Sequence, residues 1–174
     1  MEVPDGVEIE LKVAALTSTT PHPGGSSDLL PDYAHPVVDL EFLADLPPAS
    51  IGSLLLTRSD PRSMAVLPHL AVGLRRLYMG RTAFSDEVFP FVAQLSNLTY
   101  LQTFGNHFTD RGVQQLRSLT QLNALYLEEA TLTFAAFSFV GELPLLQRLG
   151  LQDVRLTDAE VEQLRVYLPG VTVG

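Results

Sequence analysis

Leu74, Leu98, Leu122 and Leu146 stand 24 residues apart, and Leu77, Leu101, Leu125 and Leu149 repeat that interval three positions later. Met79, Thr103, Leu127 and Leu151 follow two positions further on. This fixed period restricts the fold more than any other feature of the chain. One such repeat is too short to bury an apolar face alone, so successive repeats must stack into a solenoid and share one continuous core. A stack of this kind offers extended surface, so binding is the first expectation.

A second periodicity runs through the segments between the leucine clusters. Apolar triplets spaced i, i+3, i+6 occur as Leu40/Leu43/Leu46, Met64/Leu67/Leu70, Phe89/Val92/Leu95, Val113/Leu116/Leu119 and Phe137/Val140/Leu143. Val161 and Leu164 begin a sixth, which reaches Leu168 with one extra residue. Three-residue spacing is one face of a short helix, whereas the alternation ending each Leu-x-x-Leu-x-Leu cluster is that of a strand. Each repeat therefore reads as strand, turn, short helix, turn. Ser85-Asp86, Thr109-Asp110 and Thr157-Asp158 precede helices and are expected to cap them. Thr157 with Glu160 forms a capping box in sequence, and Asp60-Pro61 places a cap before a first-turn proline.

The N-terminal third differs. Val7, Ile9, Leu11 and Val13 alternate with Glu8, Glu10 and Lys12, predicting a half-buried strand. Residues 17–36 are rich in Pro, Gly and Ser and read as an inserted loop. The expected organisation is a capping strand plus loop over 1–36 and the repeat solenoid over 37–174, forming one compact domain. Residues 168–173, Leu-Pro-Gly-Val-Thr-Val, predict a closing strand with an open edge.

Charge follows the same division. The chain carries a net −9, and residues 1–50 hold nine acids against the single base Lys12, leaving the repeat body near neutral. The absence of clustered bases argues against nucleic acid. An acidic lobe could instead attract a basic protein. No cysteine is present, which removes disulfides, thiolate catalysis and cysteine-bound metal and fits a reducing, cytoplasmic setting. No apolar run is long enough for a membrane span, and the acidic N-terminus does not read as a targeting segment.

The segment Leu98-Thr-Tyr-Leu101-Gln-Thr-Phe-Gly-Asn106-His-Phe108-Thr109-Asp110-Arg-Gly112-Val113 resembles a leucine-rich repeat. Its Thr-Asp-Arg-Gly-Val is similar to the T-D-x-G-L of helix-containing repeats in bacterial proteins and F-box-type receptors. The resemblance covers about residues 37–174. It implies an α/β solenoid with a parallel β-sheet on the concave face and short helices on the convex face. The ninth repeat position, where many such proteins keep Asn or Cys, holds Thr82, Asn106, Ala130 and Val154. Thr103 takes an inward leucine position and is expected to bond local backbone through its hydroxyl.

In this family alternate strand residues point out of the concave face. The resemblance places Ser53, Leu55 and Thr57 there, then Arg76, Tyr78 and Gly80, then Tyr100, Gln102 and Phe104, then Ala124, Tyr126 and Glu128, then Arg148, Gly150 and Gln152. The candidate partner-binding residues are Arg76, Tyr78, Tyr100, Gln102, Phe104, Tyr126, Glu128 and Arg148. Tyr78 and Tyr126 should lie about 10 Å apart on either side of Gln102. Clustered tyrosines with arginine are the composition of interface hot spots, although stacking across a sheet also serves stability.

Catalytic constellations are absent from the pattern. His22, His35, His69 and His107 show no metal-ligand spacing, and no nucleophile elbow or phosphate loop occurs. Neither enzyme activity nor a cofactor is expected. The expected role is a non-enzymatic, monomeric protein-binding module. The alternatives are an acidic inhibitor or immunity-type protein masking a basic toxin or enzyme, and a scaffold or receptor subunit.

Overall fold

The computed structural model describes residues 10–14, 38–57, 59–80, 84–105 and 107–174. The expectations for the 17–36 loop, Val7, Ile9, Thr82 and Asn106 fall outside them.

The leucine clusters form the predicted strands. They are β1 (Glu10–Ala14), β2 (Ser53–Thr57), β3 (Arg76–Gly80), β4 (Tyr100–Phe104), β5 (Ala124–Glu128), β6 (Arg148–Gly150) and β7 (Thr172–Val173). They pair in chain order into one parallel sheet of seven strands among the described residues. Leu54, Leu77, Leu101, Leu125 and Leu149 stand side by side, and the row holds even though Leu54 and Leu77 are 23 rather than 24 residues apart. Leu11 of β1 joins the same row beside Leu54. Each strand start is tied to the preceding repeat, with the Thr99 N–H donating to the Arg75 carbonyl, Asn123 to Thr99 and Gln147 to Asn123, each at 2.8 Å.

The inward leucines are removed from water. Leu54, Leu56, Leu77, Leu101, Leu125 and Leu127 are fully buried, as are the opening leucines Leu74, Leu98 and Leu122. Behind them lies an aromatic layer of Phe84, Phe89, Phe108, Phe137 and Phe139. Phe89 meets Phe108 of the next repeat edge to face, with centroids 5.3 Å apart. This arrangement adds about 0.5–1.5 kcal/mol to the burial of the rings.

The convex segments are mainly 3-10 rather than α-helical. They include Glu41–Asp45, Pro61–Leu70, Asp86–Val88, Gln114–Ser118, Phe134–Phe137 and Val140–Glu142. The physical reason is the triplet spacing itself. A 3-10 helix has three residues per turn, so i, i+3 and i+6 eclipse on one face. Met64, Leu67 and Leu70 do so within Pro61–Leu70, all fully buried. Two single α-turns, α1 (Phe89–Val92) and α2 (Asp110–Val113), interrupt the 3-10 pattern. The ten-residue α3 (Asp158–Tyr167) forms where the spacing widens and Leu164 is followed by Leu168.

Three expected caps form. The Asp60 carboxylate accepts from the Arg62 N–H at 2.9 Å, and Thr109 accepts from Arg111 at 3.3 Å. Thr157 and Glu160 complete the capping box, and the bonds from the Thr157 N–H and hydroxyl hold the Glu160 carboxyl below its usual range. The aspartates after Ser85 and Thr109 act differently. Ser85 makes no capping bond. Asp86 reaches into the next repeat and accepts from the Thr109 N–H at 2.8 Å and its hydroxyl at 2.7 Å. Asp110 accepts from the Thr133 N–H at 2.9 Å and from its hydroxyl. The acids are therefore clamps between repeats. Gly112 leaves the space: a Cβ there would collide with the Asp86 carboxylate.

The Thr103 expectation fails. Its hydroxyl is fully buried among core residues and has no hydrogen-bond partner. At an inward strand position it faces apolar side chains, while the neighbouring backbone groups serve the sheet. Thr103→Val keeps the shape and removes the unsatisfied oxygen, so it should stabilise the fold by about 1 kcal/mol, read as a higher urea midpoint. A lower midpoint would show that the hydroxyl has a partner.

Candidate binding face

Strand alternation sends a second set of residues to the opposite side of the sheet. Tyr78 of β3, Gln102 of β4 and Tyr126 of β5 are register partners, as are Arg76, Tyr100, Ala124 and Arg148. Phe104 pairs with Gly80 on one side and Glu128 on the other. All eight predicted residues therefore occupy one sheet face. Tyr78, Tyr100, Gln102, Phe104, Tyr126 and Glu128 are half-buried, and Arg76 and Arg148 are exposed at the strand starts.

Tyr78 and Tyr126 flank Gln102 in register, but the gap between their rings is filled. The Tyr100 centroid lies 5.0 Å from that of Tyr78 and 5.4 Å from that of Tyr126, with interplanar angles of 39° and 33°. Three tilted rings thus form one continuous aromatic surface across β3, β4 and β5. The Tyr100 hydroxyl donates to Gln102 Oε1 at 2.8 Å, and Gln102 Nε2 donates to Glu128 Oε1 at 2.8 Å. This polar line fixes the orientation of the Gln102 amide and anchors the central ring. In a linked series each bond polarises the next.

Two glycines seat the outer aromatics. A Cβ at Gly80 would collide with the Phe104 ring, and one at Gly150 would collide with the Tyr126 ring. Both rings therefore lean over neighbouring strands and cover bare backbone. A strand glycine beside an outward aromatic is the signal for close approach that would have revealed their role.

Burial pushes the Tyr100 phenol up to about 12, with smaller contributions from Tyr78, Tyr126 and the Glu128 carboxylate. Its unfolded counterpart ionises near the ordinary 10.0. Between those values the unfolded chain holds fewer protons than the folded one, so stability falls as pH rises. Tyr100 should thus contribute fully below about pH 10 and lose its contribution as pH approaches 12. Denaturation midpoints of the wild type and Tyr100→Phe should diverge over that window, with the wild type falling faster. Parallel curves would place Tyr100 in ordinary solvent.

Among the described residues, no group of three His, Asp or Glu side chains is arranged to hold a metal ion. His69 Nε2 lies 2.7 Å from the Leu46 carbonyl and donates to it. No helix of the described residues is long and apolar enough to cross a membrane.

The same repeat stack occurs in solved structures. A leucine-rich repeat protein of Leptospira interrogans superposes with a TM-score of 0.54 at 20% identity over 79% of this chain. Internalin C2 of Listeria monocytogenes superposes with a TM-score of 0.54 at 21% identity over 78% of it. The chain has the leucine-rich repeat fold. It spans 34% of the Leptospira protein's length and 66% of internalin C2, and at these identities the likeness is one of fold. The sequence matches no protein-family model and none of the curated proteins. The leucine-rich repeat fold thus accounts for the core and the register, while the aromatic surface comes from this chain's own outward residues.

Proposed function

We propose that this leucine-rich repeat chain is a non-enzymatic protein-recognition module that binds its partner through the concave sheet face. The observation that carries this reading is the unbroken Tyr78–Tyr100–Tyr126 surface, extended by Phe104 and bordered by Arg76, Arg148 and Glu128. Tyrosine and arginine concentrate binding energy because they present large, stiff contact areas with polar tips. Here the tyrosines are preorganised by stacking and by the line of bonds to Glu128, so little side-chain freedom is lost on binding.

Size sets the extent of the contact. Six or seven strands at ~4.8 Å, each exposing a few residues, give a face on the order of 600–700 Å², slightly below the ~800 Å² per partner of a standard interface. The partner therefore engages the whole sheet face together with adjoining turns. The test is capture from the source lysate by the full chain and by Tyr78→Ala/Tyr126→Ala. The wild type should retain a protein that the double variant loses. Equal capture by both would remove the concave face from the account.

A further inference from the structure

The three tyrosine hydroxyls of the concave face are used differently. That of Tyr100 donates to Gln102 Oε1. Those of Tyr78 and Tyr126 make no hydrogen bond among the described residues, where both side chains meet only the Tyr100 ring. The buried side-chain oxygens without a partner belong to Ser50, Ser59 and Thr103, so both free phenols reach solvent. A phenol can donate as well as accept, and the face therefore holds two spare donors with a satisfied one between them. The outward residues around them, Gln102 and Ala124, carry no charge, and the charged side chains Arg76, Arg148 and Glu128 stand at the strand ends.

The spacing of the two donors selects among backbone conformations. Tyr78 and Tyr126 are both register partners of Gln102, so they stand two strand spacings apart, about 10 Å. A backbone that satisfies both must offer two unpaired carbonyls on one side at that distance. An α-helix spends its carbonyls on its own N–H groups. An extended strand rises ~3.3 Å per residue and alternates sides, so its same-side carbonyls fall at ~6.7 or ~13 Å. A polyproline II helix has about three residues per turn, a rise of ~3.1 Å and no internal hydrogen bonds. Its carbonyls i and i+3 face the same way about 9.3 Å apart, which matches the tyrosines.

We infer that the Tyr78–Tyr100–Tyr126 surface receives an uncharged, proline-rich segment of the partner in the polyproline II conformation. The segment runs across β3, β4 and β5, and the Tyr78 and Tyr126 hydroxyls donate to carbonyls three residues apart. Proline rings at the same spacing rest on the aromatic surface, and the Tyr100 ring fills the floor between the two donors. The absence of charge at the centre of the face matches a segment that carries none. Polyproline II is also stiff before it binds, so it loses little freedom on a surface that is itself preorganised. The inference rests on the concave-face reading and adds the partner's backbone conformation to it.

The test is selection of a random peptide library on the immobilised full chain, followed by affinity measurements with the selected peptides. Two variants are compared with the wild type: Tyr78→Phe/Tyr126→Phe, which keeps the rings and removes only the free hydroxyls, and Tyr78→Ala/Tyr126→Ala. Selected peptides should carry prolines three residues apart and show the circular dichroism of polyproline II when free. The phenylalanine variant should bind them roughly thirtyfold more weakly, the loss of two ordinary hydrogen bonds, with its melting temperature unchanged because neither hydroxyl has a partner in the fold. The alanine variant should not bind them. Peptides without the proline spacing, or undiminished binding by the phenylalanine variant, would overturn the inference. If the alanine variant still loses those peptides, the concave-face reading stands alone. Unchanged binding by the alanine variant, or an empty selection, would overturn both.

Discussion

Tyr78→Ala/Tyr126→Ala should weaken partner binding by about three orders of magnitude. Truncating one central aromatic of an interface costs about 2 kcal/mol or more, and two such losses of ~2 kcal/mol correspond to roughly a thousandfold. The two residues lie on either side of Tyr100, so removing both strips the central ring of its neighbours and exposes the line from Tyr100 through Gln102 to Glu128. Loss of two ring pairs should also cost about 1–3 kcal/mol of folding free energy. Melting should therefore remain cooperative at a moderately lower temperature, while binding disappears. Calorimetric titration of the captured partner beside thermal unfolding of the free chain separates the two effects. Lost cooperativity would make the tyrosines structural, and retained affinity would make them bystanders.

Phe89→Ala should destabilise the chain by about 3–5 kcal/mol, a large part of the ~5–15 kcal/mol that holds a typical domain together. Phe89 is fully buried and meets Phe108 across the boundary between two repeats. The Asp86 clamp onto Thr109 and the close approach at Gly112 lie at that boundary as well. A solenoid holds each repeat mainly through its neighbours, so a cavity in the middle of the stack weakens the coupling between its halves. The expected result is a lower denaturant midpoint with a shallower slope. An unchanged slope would show that the stack still unfolds as one unit, and an unchanged midpoint would show that the site repacks.

The sequence made the sheet legible because a strict period leaves one register that keeps every leucine inward. Leu77, Leu101, Leu125 and Leu149 specify the order and spacing of four strands in advance. The outward rows followed from the same alternation, which placed Tyr78, Gln102 and Tyr126 side by side. Side-chain inclination does not follow from alternation. Tyr100 belongs to a different row, yet it bends along β4 far enough to bond Gln102 and fill the gap between the other two rings. Phe104 and Tyr126 likewise lean over Gly80 and Gly150, contacts that involve the absence of a side chain.

Local chemistry was harder to read where one residue type serves two purposes. Asp86 and Asp110 look like helix-capping acids, but each is bound to a threonine in the next repeat. These partners stand 23 residues apart, one short of the repeat, and their pairing depends on how closely the convex segments stack. The 3-10 helices were encoded more openly. Triplets spaced strictly by three suit three residues per turn, and the four-residue step from Leu164 to Leu168 marks α3 as the exception. Thr103 makes no local bond of the kind its residue type suggests, because its hydroxyl points into the core and is buried without a hydrogen-bond partner.

The most direct test of the concave-face account is site-specific photo-cross-linking to the captured partner. The chain contains no cysteine, so one introduced thiol directs the label without further changes. Arg148→Cys places the reagent on the exposed margin of the aromatic face, and Gln94→Cys places it on an exposed convex segment. The account predicts a cross-linked partner from position 148 and none from position 94. Cross-linking from position 94 alone would move the interface to the convex side and contradict it.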